Sequence, residues 1–110
     1  MRIVITGATG FIGSNLAKLF LEKGAEVFAL VRPESSHLEA LPKDEKLHMV
    51  SCGLSNVMDC ISQIGQADAF FHLAWGGVNR QEIDSPQVQA KNVAGSLECI
   101  RVAKELGCTM

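Results

Sequence analysis

The sequence has no excess of charge of either sign. Its 110 residues carry ten basic and twelve acidic side chains, which leaves a formal net charge of -2 at pH 7. No cluster of lysine and arginine forms a stripe that could follow a phosphate backbone. This absence argues against a nucleic acid as a partner.

Long apolar runs and secretion signals are also missing. The longest apolar stretches, residues 27–31 and 69–71, are far shorter than the roughly 20 residues that span a bilayer. The amino terminus runs directly into a glycine-rich segment, without the apolar stretch and small-residue cleavage site of a secretory signal. We therefore expect a soluble protein with a cytoplasmic location and no membrane partner.

Cysteines at metal-binding or redox spacing are absent. The four cysteines, Cys52, Cys60, Cys99 and Cys108, include no C-x-x-C pair and have no histidine at the spacing of a zinc site. They also do not form the dense framework of a disulfide-rich protein. We therefore expect free thiols and no bound metal.

What the sequence does contain is the composition of an ordinary globular protein, with 47% apolar and 20% charged residues. No internal repeat, low-complexity tract or linker divides it. The length then predicts one compact domain over residues 1–110.

Strand-like and helix-like segments alternate along the chain. Apolar runs predict four strands, at residues 2–6, 26–31, 47–51 and about 67–74. Because these strands are apolar on both faces, they predict a parallel sheet covered on both sides, with right-handed crossovers. The expected fold is a Rossmann-type doubly wound α/β sheet, truncated after about four strands in the order 3-2-1-4.

Helical spacing predicts an amphipathic helix at residues 11–23. Its expected buried face consists of large apolar residues, Ile12, Leu16, Leu19 and Phe20. Gly24 follows at the position of a left-handed C-cap, before the second strand.

The later connections are expected to be helical as well. A short helical turn is predicted within residues 34–43, and a helix capped by Ser55 or Asn56 is predicted to end before Gly65. The last helix is expected to start at Asp84 or Ser85, with Pro86 in its first turn. The predicted buried residues of these two helices are Val57, Ile61 and Ile64 in the first, and Val93, Leu97, Ile100, Ala103 and Leu106 in the second.

The segment T-G-A-T-G-F-I-G, residues 6–13, carries the main functional signal. It follows a predicted strand and opens a predicted helix, whose unpaired N–H groups and dipole attract a pyrophosphate. Gly7 permits the turn, Gly10 lets the backbone approach a phosphate, and Gly13 lets the helix pack closely on the strand. The spacing G-x-x-G-x-x-G is a weak motif alone, and its context predicts dinucleotide binding.

A second small-residue segment, H-L-A-W-G-G at residues 72–77, follows the fourth strand. In the order 3-2-1-4, the carboxyl ends of strands one and four flank the ligand crevice, so both segments are expected to meet there. His72 is interpreted as a packed strand residue without a catalytic role, because no carboxylate partner is evident beside it.

In these segments the sequence resembles the extended short-chain dehydrogenases/reductases, the NAD-dependent epimerase/dehydratase family. The matching segments are T-G-A-T-G-F-I-G-S-N-L at residues 6–16, F-H-L-A at 71–74 and K-N-V-A-G-S-L-E at 91–98. They occur in the order and spacing of the family. The resemblance therefore covers essentially the whole chain.

The resemblance implies roles for particular residues. It implies cofactor contacts at Gly7, Thr9, Gly10, Phe11, Ile12 and Gly13, which would hold the pyrophosphate. It also implies that Leu73, Ala74 and Trp75 line the nicotinamide side of the crevice. Asn92 would support the catalytic geometry from the last helix, or be an ordinary solvated helix residue.

Two positions depart from the family's pattern. The family commonly places an aspartate for the adenine after the third strand, whereas this chain has C-G-L at residues 52–54. Leu54 is therefore expected to pack against the base with a weaker polar contact. Trp75 replaces the second alanine of H-L-A-A, and it either shapes the substrate side of the crevice or fills a gap.

Arg32 ends the second strand, at the position that chooses between the two cofactors. An acid there binds the ribose 2′-hydroxyl of NAD, whereas an arginine can accept the 2′-phosphate of NADP. The sequence therefore favours NADP, with NAD as the alternative if Arg32 is merely solvated or if Glu34 turns toward the ribose.

The 110 residues contain no tyrosine. The family's chemistry uses a tyrosine as acid/base, a lysine four residues later that lowers the pKa of the tyrosine, and a serine or threonine. We therefore expect the chain to be the N-terminal piece of a longer enzyme, which binds cofactor and does not turn over substrate. The fifth strand and the tyrosine would then lie beyond Met110.

The resemblance leaves more than one function open for the parent enzyme. The leading hypothesis is epimerisation of a nucleotide-linked sugar through a keto intermediate. An NADPH-dependent ketone or aldehyde reductase of the dihydroflavonol reductase type, which Arg32 and Pro33 would suit, is an alternative, as is a non-catalytic NAD(P)-binding regulator or scaffold. A homodimer or self-association through the open edge of strand four is also expected.

Overall fold

A parallel sheet forms the centre of the structure, a computed structural model that describes residues 1–32 and 37–109. Its strands are β1 (Arg2–Thr6), β2 (Glu26–Val31), β3 (Leu47–Ser51) and β4 (Ala69–His72). The strand order is β3-β2-β1-β4, and neighbouring strands run parallel. The predicted fold class and strand order are confirmed.

The strands bury side chains on both faces of the sheet. One core contains Val4, Phe28, Leu30, Val50 and Phe70. The opposite core contains Ile3, Ile5, Val27, Ala29 and Val31. Burial on both faces explains why the strands lack the polar alternation of a half-exposed sheet.

Helix α1 (Phe11–Glu22) covers the second of these cores through small residues. Gly13, Ser14 and Ala17 are its buried positions. Leu16 and Phe20 pack against the core as predicted, but Ile12 and Leu19 are 67% and 45% exposed. Their predicted burial was wrong because the small residues, rather than the largest ones, set the face that approaches the sheet.

The connections around β3 are short helical segments. A 3₁₀ turn, Leu38–Ala40, precedes β3, while Glu34 and the start of the predicted turn lie outside the described residues. After β3, a 3₁₀ segment, Leu54–Cys60, leads into α2 (Ile61–Ile64). The predicted cap was misplaced, because the segment starts after Gly53 and the Asn56 side chain accepts a hydrogen bond from the Gly53 N–H at 2.8 Å.

Helix α3 (Pro86–Leu106) begins as predicted, since the Ser85 hydroxyl accepts a hydrogen bond from the Val88 N–H. Its buried residues are Asn92, Gly95, Cys99, Val102, Ala103 and Leu106. Val93, Leu97 and Ile100 are 53%, 58% and 53% exposed, so their predicted burial was wrong. The buried face was missed because small and polar residues, including Gly95, let the helix lie close to the Leu54–Cys60 segment.

Strand β4 is shorter than the predicted residues 67–74. After His72 the Ala74 amide bonds to the Thr6 hydroxyl, and the Leu73 amide is shared between the Thr6 carbonyl and the Thr6 hydroxyl. On the outer side of β4, Thr109 forms a parallel bridge with Ala69, and the Phe70 N–H donates to the Thr109 carbonyl at 2.8 Å. The edge of β4 is therefore partly paired within this chain.

Three features bear on cellular context and metal binding. Among the helices of residues 1–32 and 37–109, none combines the length and the apolar character needed to cross a membrane. All four cysteines are free thiols. In the same part of the chain, no cluster of three or more histidine, cysteine or acidic side chains is arranged to hold a metal ion.

Candidate functional site

A cleft of about 650 Å³ opens at the carboxyl ends of the strands. Its walls come from the glycine turn after β1, the end of β2, the segment after β3 and the loop that joins β4 to α3. Parallel strands place all of these chain segments at one edge of the sheet, which is where doubly wound folds bind ligands. The cleft is therefore the candidate site.

The glycine turn brings the backbones of β1 and β4 together. Gly7 has a φ of 71°, and a β-carbon there would lie 2.8 Å from the Ala74 nitrogen and from the Leu73 carbonyl carbon. The Gly10 N–H donates to the Gly7 carbonyl at 3.1 Å, which closes the turn. Only glycine fits at position 7, because the left-handed conformation and the close approach both exclude a side chain.

The amino terminus of α1 faces this turn without a side-chain cap. Gly10 occupies the N-cap position, and the first turn of α1 contains no acidic residue. A helix terminus of this kind presents backbone N–H groups and a partial positive charge. The turn therefore has the electrostatic character of an anion site.

The far side of the cleft is lined by residues that follow β2 and β3. Arg32 comes directly after β2, is exposed, and lines the cleft. Cys52, Gly53 and Leu54 follow β3 and also line it. The cleft thus extends from the glycine turn to the end of β2, where Arg32 lies.

Thr6 and His72 lie side by side at the ends of β1 and β4. The Thr6 Oγ1 atom is 2.7 Å from His72 Nδ1, and it accepts hydrogen bonds from the Leu73 and Ala74 amides at 3.0 and 3.2 Å. His72 Nε2 lies 2.8 Å from Ser96 Oγ on α3. Burial lowers the pKa of His72, so its ring is neutral near pH 7.

Asn92 binds the loop that follows β4 rather than facing solvent. Its Nδ2 donates to the Gly76 carbonyl at 2.8 Å, and its Oδ1 accepts from the Gly76 N–H at 2.9 Å. The oxygen and the nitrogen of the Asn92 amide therefore both bond to the backbone of Gly76, and the Asn92 side chain is buried. Asn92 fixes Gly76 in the wall of the cleft.

Trp75 stands at the rim of the cleft and is 48% exposed. Its indole N–H donates to Gln89 Oε1 at 2.9 Å, and the same oxygen accepts from Asn92 Nδ2 at 3.2 Å. These two bonds tie the indole to α3. Gln89 gave no signal in the sequence, because a glutamine near a helix start is an ordinary surface residue.

The structure places most of the residues expected at the site in one cleft. Those that line it are Gly7, Thr9, Gly10, Arg32, Leu54, Leu73, Ala74, Trp75 and Asn92. Phe11 and Ile12 lie beside it with exposed side chains, and Gly13 is buried beneath the turn. Lining residues that sequence reasoning missed include Val57, Val78, Asn79 and Glu82.

Similarity to known proteins extends over the whole chain. Residues 3–110 match the model of the NAD dependent epimerase/dehydratase family. A putative dihydroflavonol 4-reductase of Synechocystis sp. is 31% identical over 94% of this chain and 29% of its own length.

Solved structures show the same fold. A Bordetella bronchiseptica enzyme, WbmH, crystallised in complex with NAD+, matches 96% of this chain and 36% of its own chain, with 27% identity and a TM-score of 0.79. A UDP-galactose 4-epimerase matches 98% of this chain and 35% of its own, with 28% identity and a TM-score of 0.80.

The chain spans about 29% of the length of the curated relatives that it matches first. The shared part contains the glycine turn, the parallel sheet and the Asn92 helix described above. The chain belongs to the NAD-dependent epimerase/dehydratase family.

Proposed function

We propose that this chain binds the pyrophosphate of NAD(P) at the glycine turn and forms the cofactor-binding part of an epimerase/dehydratase-like oxidoreductase. The observation that carries the proposal is the convergence of the uncapped α1 terminus, Gly10 and the Leu73–Ala74 backbone on one cleft. A β-carbon on Gly10 would meet only the Gly7 carbonyl, at 3.4 Å, so the space in front of Gly10 stays open. This is the opening that a pyrophosphate needs.

Further residues of the cleft suit the remaining parts of a dinucleotide. Leu54 offers an apolar surface for the adenine, and Ala74 and Trp75 would border the nicotinamide. Phe11, Ile12 and Gly13 would contribute backbone N–H groups from the first turn of α1, and Thr9 would border the phosphates. When bound, NAD(P) supplies hydride transfer, while this chain's residues bind and orient it.

Calorimetric titration of the purified chain with NADPH and NADH, in one buffer of fixed salt, tests the proposal. We expect saturable binding of at least one cofactor with one site per chain. A chain that binds neither cofactor while retaining a cooperative unfolding transition would contradict the proposal.

We further propose that the site prefers NADP. Arg32 lies directly after β2 and lines the cleft on the side proposed for the cofactor's adenosine half. A planar guanidinium recognises a phosphate by charge-assisted hydrogen bonds. The carboxylate that would select the ribose 2′-hydroxyl of NAD is absent from this position.

For the parent enzyme, the leading proposal is the interconversion of a nucleotide-linked sugar through a keto intermediate. The fold likeness to a UDP-galactose 4-epimerase supports this reaction class. The 110-residue sequence contains no tyrosine, so the acid/base pair of the reaction would come from another part of the parent. Within this chain, Asn92 is the residue proposed to support the catalytic geometry, through its hold on Gly76.

The second candidate is an NADPH-dependent reductase of a ketone or aldehyde. Two observations favour it: the 31% identity to a putative dihydroflavonol 4-reductase and the presence of Arg32 in the cleft. The exposed indole of Trp75 would suit a planar, apolar substrate. Assays of the longer parent with a UDP-sugar and with an aromatic ketone plus NADPH separate the two reactions.

We also propose self-association into a homodimer. Val93, Leu97 and Ile100 form an exposed apolar stripe on α3, spaced at one helical face. This stripe lies away from the Leu54–Cys60 segment, which contacts the opposite flank at Gly95. It is a better candidate surface than the β4 edge, where Thr109 already pairs. The cytoplasmic location and the single cofactor-binding domain over residues 1–110 stay predictions.

A further inference from the structure

The hydrogen bonds of Thr6 determine which atoms donate and which accept in a series of hydrogen bonds that runs from β1 to α3. A threonine hydroxyl has one proton to donate and two lone pairs that accept. In this structure Thr6 Oγ1 accepts from the Ala74 amide at 3.2 Å and from the Leu73 amide at 3.0 Å, and the Leu73 amide is shared with the Thr6 carbonyl at 3.3 Å. The remaining contact, 2.7 Å to His72 Nδ1, must therefore be a hydrogen bond that the Thr6 hydroxyl donates.

This direction determines the protonation state of the His72 ring. Since Nδ1 accepts, the neutral ring carries its proton on Nε2 and donates it to Ser96 Oγ, 2.8 Å away. Ser96 in turn donates to the Asn92 carbonyl at 2.9 Å. The result is a series of hydrogen bonds, each with a defined donor, that runs from Thr6 on β1 through His72 on β4 to Ser96 on α3.

We propose that His72 is a positioning residue which, as the neutral Nε2–H tautomer, holds the ends of β1, β4 and α3 in the arrangement that binds the cofactor. Leu73 and Ala74, whose amides bond to Thr6, line the cleft and pass so close to Gly7 that a β-carbon there would lie 2.8 Å from the Ala74 nitrogen. If the Thr6–His72 hydrogen bond changes, the backbones of Leu73 and Ala74 can shift, and these backbones pack against the glycine turn. The inference rests on the proposed function, because it assigns His72 to the cofactor site.

Protonation of the His72 ring would break the hydrogen bond that the Thr6 hydroxyl donates to Nδ1. A proton on Nδ1 would face the Thr6 hydroxyl proton, so Thr6 would have to release one of the two amides in order to accept a bond from Nδ1. The groups that face the ring in the described part of the chain are Thr6 on β1 and Ser96 and Cys99 on α3, with Cys99 Sγ 3.7 Å from Nδ1. Burial raises the pKa of Cys99 to about 11, so its thiol is neutral and offers the imidazolium no compensating charge.

The tautomer is tested first, without any cofactor. Nitrogen-15 chemical shifts of the His72 ring distinguish a protonated from an unprotonated Nδ1. Hydrogen exchange of the Ala74 amide reports the strength of the contact with the Thr6 hydroxyl, whereas the Leu73 amide also bonds to the Thr6 carbonyl. We expect an unprotonated Nδ1 near pH 7, together with a protected Ala74 amide. A neutral ring protonated on Nδ1 would overturn the inference even if NADPH binds well.

Two variants then test the link to the cofactor. An asparagine oxygen can take the place of Nδ1, whereas a glutamine reaches toward Ser96 and leaves Thr6 without an acceptor. We expect His72→Asn to keep NADPH affinity within about threefold of the wild type and His72→Gln to lose about tenfold. Wild-type affinity should fall as the pH drops through the lowered pKa of His72, whereas His72→Asn should not show this loss.

His48→Gln is the matched control, because His48 lies on β3 and its Nε2 contacts Glu26 at 2.9 Å, outside the cleft. It should keep the wild-type pH profile. An acid loss of affinity that persists in His72→Asn and disappears in His48→Gln would contradict the proposal. Absence of cofactor binding in the wild type would contradict the proposed function, and with it the role of the tautomer at the site.

Discussion

A β-carbon on Gly13 would lie 2.1 Å from the carbonyl oxygen of Gly7, whereas one on Gly10 would lie 3.4 Å from that same oxygen. The first distance is impossible for real atoms and the second is an ordinary contact. Glycine at position 13 is therefore required by the fold, while glycine at position 10 is needed only if something else approaches it.

The two glycines should respond differently to the same substitution. We expect Gly10→Ala to change the free energy of unfolding by less than about 1 kcal/mol, since alanine is a slightly worse N-cap, and to weaken NADPH binding about tenfold or more. Gly13→Ala should destabilise the fold by about 1–3 kcal/mol or more through overpacking. Chemical denaturation and calorimetry measure both effects, with Asn15→Ala in the same helix as the control. Equal NADPH affinity in Gly10→Ala and the wild type would argue against phosphate binding at this turn.

The preference between cofactors should depend on Arg32. Replacing it with aspartate removes a phosphate partner and introduces repulsion, so we expect Arg32→Asp to weaken NADPH binding by about tenfold or more while NADH binding is kept or improved. Arg101→Asp makes the same charge change on the exposed side of α3 and serves as the control. A parallel loss in both variants would mean that overall charge, rather than a contact with Arg32, governs affinity.

Acid should remove the stabilisation that Glu26 provides. Glu26 contacts the Arg2 guanidinium and lies 2.9 Å from His48 Nε2; the hydrogen bond with His48 and then the charge of Arg2 lower its pKa. A carboxylate with a lowered folded-state pKa stabilises the fold above its unfolded pKa of about 4.3, and this stabilisation is lost as the pH falls through the folded value.

The difference in unfolding free energy between the wild type and Glu26→Gln should therefore be steady near pH 7 and shrink below about pH 4. Urea titrations over a pH series measure it, and Glu22→Gln on α1 is the control. A difference that grows at acid pH would contradict the assignment.

Contact between α3 and the Leu54–Cys60 segment should tolerate no added volume at Gly95. A β-carbon there would lie 2.8 Å from the Leu54 β-carbon, so Gly95→Ala is expected to cost about 1–3 kcal/mol of stability despite alanine's better helix propensity. The double variant Gly95→Ala with Leu54→Gly should lose less stability than the sum of the two single losses, because glycine at position 54 removes the β-carbon that clashes. If Gly95→Ala alone stabilises the protein, the close approach is not present in solution.

The exposed stripe on α3 should mediate self-association. A lysine within an apolar interface is costly unless paired, so Leu97→Lys is expected to shift sedimentation toward the monomer without loss of stability. Met58→Lys, at another exposed apolar position, is the control. If neither variant changes the sedimentation profile of an associating chain, another surface forms the contact.

The sequence predicted the order of elements well because alternating apolar strands and helix caps are local signals. It predicted the close packing at Gly13, but it predicted the rest of the buried helix faces less well, since small residues such as Ala17 and Gly95 give a weak hydrophobic signal and yet permit close packing. Apolar residues such as Leu97 were assigned to the core by their helical spacing, which does not show which flank of the helix meets the sheet.

The candidate site likewise has a part that the sequence predicted and a part that only the structure shows. The glycines and Arg32 could be located by spacing from the predicted strands. The Thr6–His72–Ser96 chain and the double hydrogen bond between Asn92 and Gly76 could not, because each joins residues that are brought together only by β1, β4 and α3.

The strand order also determines how the nascent chain can fold. β1 precedes the other three strands in the chain but lies inside the sheet, between β2 and β4. β1, α1 and β2 can assemble from a short continuous segment, whereas the second edge of β1 stays open until residues 69–72 have emerged from the ribosome. During that interval a deeply buried strand presents unpaired backbone groups along one edge, and such an edge can pair with the wrong strand until β4 covers it.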